Sequence, residues 1–400
     1  MKQILMALGL MVCGLMLTAA ALDPGLPSNY WDNPKATAGK APHAWSKLEK
    51  DMRPEACAQC HSEQFDDWKS SLHAAAYSPG TVGQFPDMGH GAANACLNCH
   101  APLAEQKFSD DESMHRSVAL LLKQKQGFDS DANLDGKKVP LTHAGVSCAS
   151  CHVRGWQRFG PPPKATGAVG VQQGSAHGGF TATRDFESSQ FCASCHQFPD
   201  SMAINGKPLE NTVTEWKESA FSKQGVTCQQ CHMPDRKHQF RGIHDPEMVR
   251  KGLTFDLKQQ GEVAIFSITS TWIGHAFPTY VTPLVIVSAE AKGSSGELLK
   301  SWQWEIVREV EYDNGWQEKR DTRLASGETR KFMTNDLPAS SESVRFSVTV
   351  IPDNFYKGLY ESLLSGDQQP AAKVHIKRAR AHADKNDYLL FEQSISIGKR

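Results

Sequence analysis

Five copies of one short pattern constrain this chain more than any other feature of its sequence. In each copy, two cysteines stand three positions apart and a histidine follows at once. The copies, numbered first to fifth along the chain, are Cys57, Cys60 and His61; Cys96, Cys99 and His100; Cys148, Cys151 and His152; Cys192, Cys195 and His196; and Cys228, Cys231 and His232. With 11 cysteines and 16 histidines among 400 residues, the pattern should arise by chance only about 0.01 times. The five motifs therefore share one chemical purpose.

Covalent haem attachment explains both the spacing and the histidine. Two thiols three positions apart add to the vinyl groups of one haem, and the adjacent imidazole becomes the proximal ligand of its iron. Zinc ribbons would pair such units two by two and leave the histidine unexplained. Redox disulfides of this spacing seldom come five to a chain. We therefore predict that the ten cysteines hold five haem c groups and that the five motif histidines are their proximal iron ligands.

The N-terminus has the features of an export signal. Lys2 precedes an apolar run over residues 4–17, and three alanines follow at 19–21. Such a run is too short to span a bilayer comfortably but suits a cleaved signal peptide. We predict a signal peptide at residues 1–21, containing the unpaired Cys13, and export to the periplasm or beyond the cell. No later stretch approaches 18 uninterrupted apolar residues, so the mature chain is expected to have no transmembrane segment.

Composition changes along the chain and predicts two domains. Within residues 22–251 there is one motif per roughly 35 residues, too dense for each haem to have its own side-chain core. Residues 252–400 lack cysteine, and apolar and polar residues alternate there at 263–271, 281–289, 302–312, 344–351, 374–378 and 389–397. A hairpin turn is predicted at Asn314 and Gly315 and a helix at 354–364. We predict an α + β multidomain protein, with a mostly helical and irregular multihaem domain at 22–251 and an antiparallel β-sandwich at 252–400.

The sixth ligand of each iron decides what that iron can do. A second histidine gives a closed iron that moves electrons, whereas an open iron can bind a substrate. Eleven of the 16 histidines lie outside the motifs. The five favoured as distal ligands are His73, His143, His177, His244 and His275. The weaker candidates are His90, His115, Met88, Met114, Met233 and His238, which ranks below His244. Packing is the simpler role for His115 and the three methionines, and His43, His375 and His382 are expected at the surface.

Local patterns place some of these candidates. Residues 64–77 read as an amphipathic helix, which would carry His73 too far from His61 to serve the same haem, so His73 should serve a neighbour. His177 lies in a glycine-rich loop, where an imidazole can approach a flat ring closely. His275 lies between the first two predicted strands of the sandwich. There it could reach back to a haem and join the domains, with a hydrogen-bonded loop histidine as the simpler alternative.

The sequence evidence for a second kind of metal site is weaker. Asp131, Asn133, Asp135 and Gly136 match the first half of a calcium loop, with oxygen ligands at alternate positions and a glycine for the turn. Thr142 stands where the bidentate glutamate belongs. A polar turn is the simpler interpretation, and Ca²⁺ remains the alternative.

The motifs and their surroundings resemble a known family. The first motif, followed by Trp68, Ser71 and His73, resembles the opening of the multihaem cytochromes c related to the tetrahaem cytochrome that takes electrons from hydroxylamine oxidoreductase. The fifth motif, followed by Met233, Pro234, His238 and His244, is similar to the same group. The loop at 274–279 resembles one in the β-sandwich that some larger members append. The resemblance implies periplasmic electron transfer, mainly bis-histidine haems stacked in pairs, and His73 as a distal ligand.

One departure from the family pattern bears on function. Trp216, Ser219 and Phe221 repeat the spacing of Trp68, Ser71 and His73. Phenylalanine cannot ligate iron, so either another histidine substitutes or one haem keeps an open face.

These observations leave three functional hypotheses. The favoured one is a pentahaem electron carrier in respiratory electron transport, with redox proteins as partners and no catalytic residue. The alternative is an oxidoreductase in which one open haem acts on a small nitrogen or sulfur compound, although the chain lacks the Cys-x-x-Cys-Lys unit of pentahaem nitrite reductases. The third is a binding module in which the sandwich docks a partner. A net charge of −1 gives no positive field for nucleic acid, and the sequence does not indicate an oligomeric state.

Overall fold

The computed structural model describes residues 22–123, 139–174 and 176–398. Its helices are α1 Lys47–Lys50, α2 Pro54–Ala58, α3 Ser62–Lys69, α4 Pro79–Val82, α5 Gly89–His100, α6 Asp111–Leu121, α7 Cys148–His152, α8 Ala193–His196, α9 Thr212–Glu218, α10 Ala220–Lys223, α11 Cys228–His232, α12 Pro246–Gly252, α13 Asn354–Ser365 and α14 Pro370–Ala383. Its strands are β1 Val153–Arg154, β2 Gln157–Gly160, β3 Gly170–Gln172, β4 Phe180–Ala182, β5 Ala203–Ile204, β6 Lys207–Pro208, β7 Leu253–Gln260, β8 Val263–Ser270, β9 Leu284–Lys292, β10 Leu298–Ile306, β11 Arg308–Tyr312, β12 Trp316–Asp321, β13 Thr329–Met333, β14 Ser343–Ile351 and β15 Tyr388–Ser396. The predicted signal peptide and the candidate calcium ligands at 131–136 lie outside the described residues.

Short helices carry the five motifs. Helices α7 and α11 begin at the first cysteine of a motif and end at its histidine, and α5 and α8 end at a motif histidine. On a helix, residues three and four positions apart lie on the same side. The two thiols and the imidazole of one motif therefore face the same region of space, as a shared cofactor requires.

The buried side chains of the N-terminal region form several small clusters. One joins α4, α5 and α6 through residues such as Phe85, Leu97 and Met114. A second surrounds Leu103 and Val153, and a third surrounds Tyr30. These clusters pack between the motifs and hold the short helices in place.

The C-terminal region is an antiparallel sandwich, which confirms the predicted fold class. One sheet has the strand order β10-β9-β14-β15 and the other β13-β8-β7. Burial alternates strictly along β9 and β14, so every second residue of these strands points into the core. Phe266 of β8 and Phe346 of β14 are fully buried at its centre, with ring centres 5.2 Å apart. The pair β11–β12 forms a separate hairpin around Asn314 and Gly315.

Two sequence predictions about elements are wrong. Residues 374–378, predicted as a strand, lie within α14, which buries Ala372, Ile376 and Ala379 on one side. A window of five residues is too short to distinguish the strand period from the helix period. The helix predicted over 64–77 ends at Lys69 and gives way to turns. His375, expected at the surface, is fully buried, and its Nε2 bonds to the Val118 carbonyl at 2.9 Å.

Helices, hairpins and loops of the two regions contact each other at several places apart from the chain connection. Helix α14 packs against α4, and Gly80 leaves room there for the Tyr360 hydroxyl. On another side, the hairpin β5–β6 of the N-terminal region rests on the β11–β12 hairpin. The fully buried Arg308 of β11 donates to the Lys207 carbonyl at 2.8 Å and to Glu318 at 2.8 Å. In the described ranges no helix is long and apolar enough to cross a membrane.

Candidate haem-binding site

The five motifs form one continuous group in the N-terminal region. Three pairs of thiols from different motifs are in hydrogen-bond contact: Cys57 with Cys148, Cys99 with Cys195, and Cys192 with Cys228. Cys151 also interacts electrostatically with Cys192 and Cys195. None of the ten described cysteines forms a disulfide. The attachment points therefore follow the order first, third, fourth and fifth motif, with the second beside the fourth.

Three motif histidines are oriented as iron ligands are. The Nδ1 atom of His100 bonds to the Ala76 carbonyl at 2.9 Å, that of His152 to the Phe159 carbonyl at 2.8 Å, and that of His232 to the Arg241 carbonyl at 2.6 Å. A carbonyl partner on one ring nitrogen fixes the tautomer and leaves the other nitrogen for a metal.

Burial keeps the motif imidazoles neutral. It lowers the pKa of His152 to about 4, and it also lowers the pKa values of His61, His100, His196 and His232. A neutral imidazole is the form that can bind iron.

A second histidine faces three of the motif histidines. The ring centres of His73 and His196 are 6.3 Å apart, those of His238 and His152 are 6.2 Å apart, and those of His275 and His232 are 6.3 Å apart. Two imidazoles on opposite sides of one metal, each with a metal–nitrogen bond of about 2 Å, place their ring centres roughly 6 Å apart. These pairs therefore fit bis-histidine haem irons.

Burial also keeps two of the facing histidines neutral. It lowers the pKa of His73 to about 3 and that of His275 to about 4. The Nδ1 atom of His275 bonds to the Ala276 carbonyl at 2.9 Å, which is the arrangement of the motif histidines. Phe240 packs against the His73 ring with the ring centres 4.3 Å apart.

His177 lies beside the first motif. Its backbone is left-handed, with φ 41°, and its Nδ1 atom bonds to the Gly179 carbonyl at 2.9 Å. Glu49 accepts the backbone N–H of His177 at 2.6 Å and so anchors the loop. The ring is near enough to His61 to interact with it electrostatically. The structure thus brings together His61 and the loop histidine singled out from the sequence.

Two other histidines predicted as distal ligands, His143 and His244, have a different environment. The Nε2 atom of His143 contacts the Ser117 hydroxyl at 3.0 Å, and that of His244 contacts Asp353 at 3.0 Å. Because these nitrogens already have protein partners, His143 and His244 do not enter the ligand set proposed below. Their role as distal iron ligands stays a prediction from the sequence. His238, and not the favoured His244, has a ring contact with a motif histidine, and no local sequence signal separates these two histidines six residues apart.

The second motif differs from the third, fourth and fifth. Within the described ranges, no ring contact joins His100 to another histidine. The first cysteine of this motif, Cys96, is exposed, as is Cys60 of the first motif.

The spacing repeat seen in the sequence is also a structural repeat. Trp68 Nε1 donates to the Val146 carbonyl at 2.8 Å, and Trp216 Nε1 donates to the Val226 carbonyl at 2.9 Å. Each valine stands two residues before a motif, the third and the fifth respectively. In the first copy His73 faces the motif that follows the third. In the second copy the corresponding residue is Phe221, whose side chain lies beside Gly274.

Comparison with known proteins agrees with this geometry. Residues 56–119 match the family model described as cytochrome c554 and c-prime. The fold is similar to that of a penta-heme cytochrome c552 from Thermochromatium tepidum, with a TM-score of 0.55 and 20% identity over 88% of this chain and 100% of that chain. MtrC from Shewanella baltica aligns with a TM-score of only 0.15 at 16% identity, over 69% of this chain and 41% of that chain, and supports no conclusion. No curated protein matches the chain significantly.

Proposed function

Since the chain is a multihaem c-type cytochrome, we propose that it carries electrons through five closely spaced, mainly bis-histidine haems in periplasmic respiratory electron transport. The observation that supports this best is the facing of three motif histidines by a second histidine at 6.2–6.3 Å. An iron with two imidazole ligands has no free position for a substrate, so its role is electron transfer.

The proposed ligand set follows from the ring contacts. His73 is the distal ligand at the fourth motif, His238 at the third and His275 at the fifth. His177 is assigned to the first motif because its ring lies near His61 and its Nδ1 atom is held by a carbonyl. The cysteines anchor each haem covalently, and each haem supplies an iron that alternates between Fe³⁺ and Fe²⁺.

The chain's own residues would orient and insulate the irons. Carbonyl partners on Nδ1 make the imidazoles stronger electron donors, and burial of the histidines excludes water from the irons. Cys60 and Cys96 are exposed, so haems held by the first and second motifs would lie nearest to solvent. We infer that redox partner proteins exchange electrons with the chain there.

A second candidate function rests on the second motif. If the haem at His100 has no protein ligand on its other face, that iron could bind a small nitrogen or sulfur compound, as an oxidoreductase requires. The specific observation is the lack of a ring contact between His100 and another histidine in the described ranges. The remaining haems would then supply electrons to that site.

Electron paramagnetic resonance of the oxidised, purified protein separates the two functions. Electron transfer alone predicts low-spin signals from every haem and no change on adding cyanide or nitric oxide. A high-spin signal that either ligand converts would support the open site. Intact mass and a reducible Soret band test the shared premise, since a colourless chain without added haem mass contradicts both functions. Cell fractionation, with and without residues 1–21, tests periplasmic export.

A further inference from the structure

A half-buried acidic side chain lies beside the second and fourth motifs and has no part in haem attachment. Glu210 precedes α9, and its backbone carbonyl accepts the N–H of Phe198, two residues after His196, at 2.8 Å. Its carboxylate accepts a hydrogen bond from the Thr212 hydroxyl, which in turn contacts the Thr279 hydroxyl at 2.5 Å. The Phe198 N–H thus holds the backbone of Glu210 beside the fourth motif, and the Thr212 hydroxyl holds its carboxylate.

Two tyrosines extend this site to the second motif. Tyr280 and Tyr356 hydrogen-bond with each other, and both interact electrostatically with Glu210. Tyr280 also interacts with Cys99, and Tyr356 with Cys96. Because Cys99 contacts Cys195 of the fourth motif, these protic groups lie beside two adjoining attachment points.

The charges around Glu210 oppose its ionisation overall. Burial, together with the charge of the neighbouring Glu215, raises the pKa of Glu210 to about 7, although Thr212 and Arg323 favour the carboxylate. Tyr280 and Tyr356 complete the titratable groups around it, and burial raises the pKa of each. A carboxyl group in this range exchanges a proton in response to a small change in nearby charge.

We propose, on the premise that haems occupy the second and fourth motifs, that Glu210 binds a proton when one of these haems is reduced and releases it when that haem is oxidised. A redox partner protein supplies one electron, which converts Fe³⁺ to Fe²⁺. Loss of one positive charge at the iron weakens its attraction for the carboxylate, so Glu210 takes one proton from water and becomes a neutral acid. Reoxidation returns the electron to the acceptor and the proton to water.

Potentiometric titration of the haem-loaded protein from about pH 5 to about pH 9 tests this coupling on both sides of neutral pH, where the pKa of Glu210 lies. One haem potential should fall with rising pH around neutrality, approaching 59 mV for each tenfold change in proton concentration if coupling is complete. Glu210→Gln should flatten that dependence. The matched control is Glu218→Gln, which removes the same charge from an exposed position on α9 and should leave the slope unchanged.

A second variant keeps the test informative if Glu210→Gln does not fold. Thr212→Val removes a hydroxyl that favours the carboxylate, so the pH-dependent interval should move to higher pH. Redox-difference infrared spectra of the unchanged protein should show a protonated carboxylic acid appearing on reduction. A haem-loaded protein whose potentials do not vary near neutral pH, or whose slope survives in Glu210→Gln, overturns the proposal. A colourless protein contradicts the proposed function instead, so the two failures are distinguishable.

Discussion

In the β-sandwich, alternate residues of β9 and β14 point into one continuous apolar core, whereas the buried side chains of residues 22–252 form several small clusters between the motifs. The sandwich can be stabilised by burial of its own side chains, at about 25 cal/mol per Å² of apolar surface. The N-terminal region instead gathers thiols and imidazoles between its small clusters. We therefore expect the sandwich to fold from its own sequence and the N-terminal region to fold together with its cofactors.

The largest expected effect comes from removing an internal motif. Cys148→Ala combined with Cys151→Ala should abolish the folding of the N-terminal region, because the third motif adjoins both the first and the fourth. Circular dichroism and haem content by intact mass would measure the loss. The control is Cys57→Ala combined with Cys60→Ala at the partly exposed first motif, which should cost one haem and leave the others attached. An equal loss of folding and of haem content in both variants would contradict the expectation that the third motif matters more for folding than the first.

A smaller effect is expected from a cavity in the sandwich core. Phe266 is fully buried and its ring packs near those of Phe346 and Phe391, so Phe266→Ala should lower the free energy of unfolding by about 3–5 kcal/mol. Leu298→Ala, at a side chain 59% exposed on β10, should change it by less than about 0.5 kcal/mol. Denaturant unfolding followed by tryptophan fluorescence gives both values. The Soret spectrum of the folded variants should not change, and a change would show that the two regions are less separate than their cores indicate.

The smallest effect on stability, and the most specific one, is expected where the regions meet. His275 belongs to the sandwich and faces His232 of the fifth motif, so His275→Ala should convert one low-spin haem to high spin while leaving haem content unchanged. His244→Ala is the control, because His244 is engaged by Asp353 and should leave every spin state as it was. Electron paramagnetic resonance reads both variants. A low-spin signal that persists in His275→Ala would remove the sandwich from the proposed ligand set.

Local patterns were enough for much of the architecture. The strand predicted over 263–271 is β8, that over 344–351 corresponds to β14, and the helix predicted over 354–364 is α13. Within residues 252–400, the prediction misses β7, β12 and β13. Strands β12 and β13 carry mostly polar residues, whereas Leu253, Phe255 and Leu257 of β7 do alternate with polar residues and could have indicated a strand. Residues 374–378 were misread because five residues fit either period, and only the packing of α14 against α4 decides between them.

The sequence by itself predicts where haem attaches, because thioether chemistry needs two thiols and an imidazole at one fixed local spacing. It also determined that a cysteine-free β region follows. The tertiary structure decided which histidine faces which motif, bringing His73 to the fourth, His238 to the third and His275 to the fifth. A sixth ligand comes from the opposite side of the iron and therefore from a distant segment, whose approach depends on how the whole chain packs.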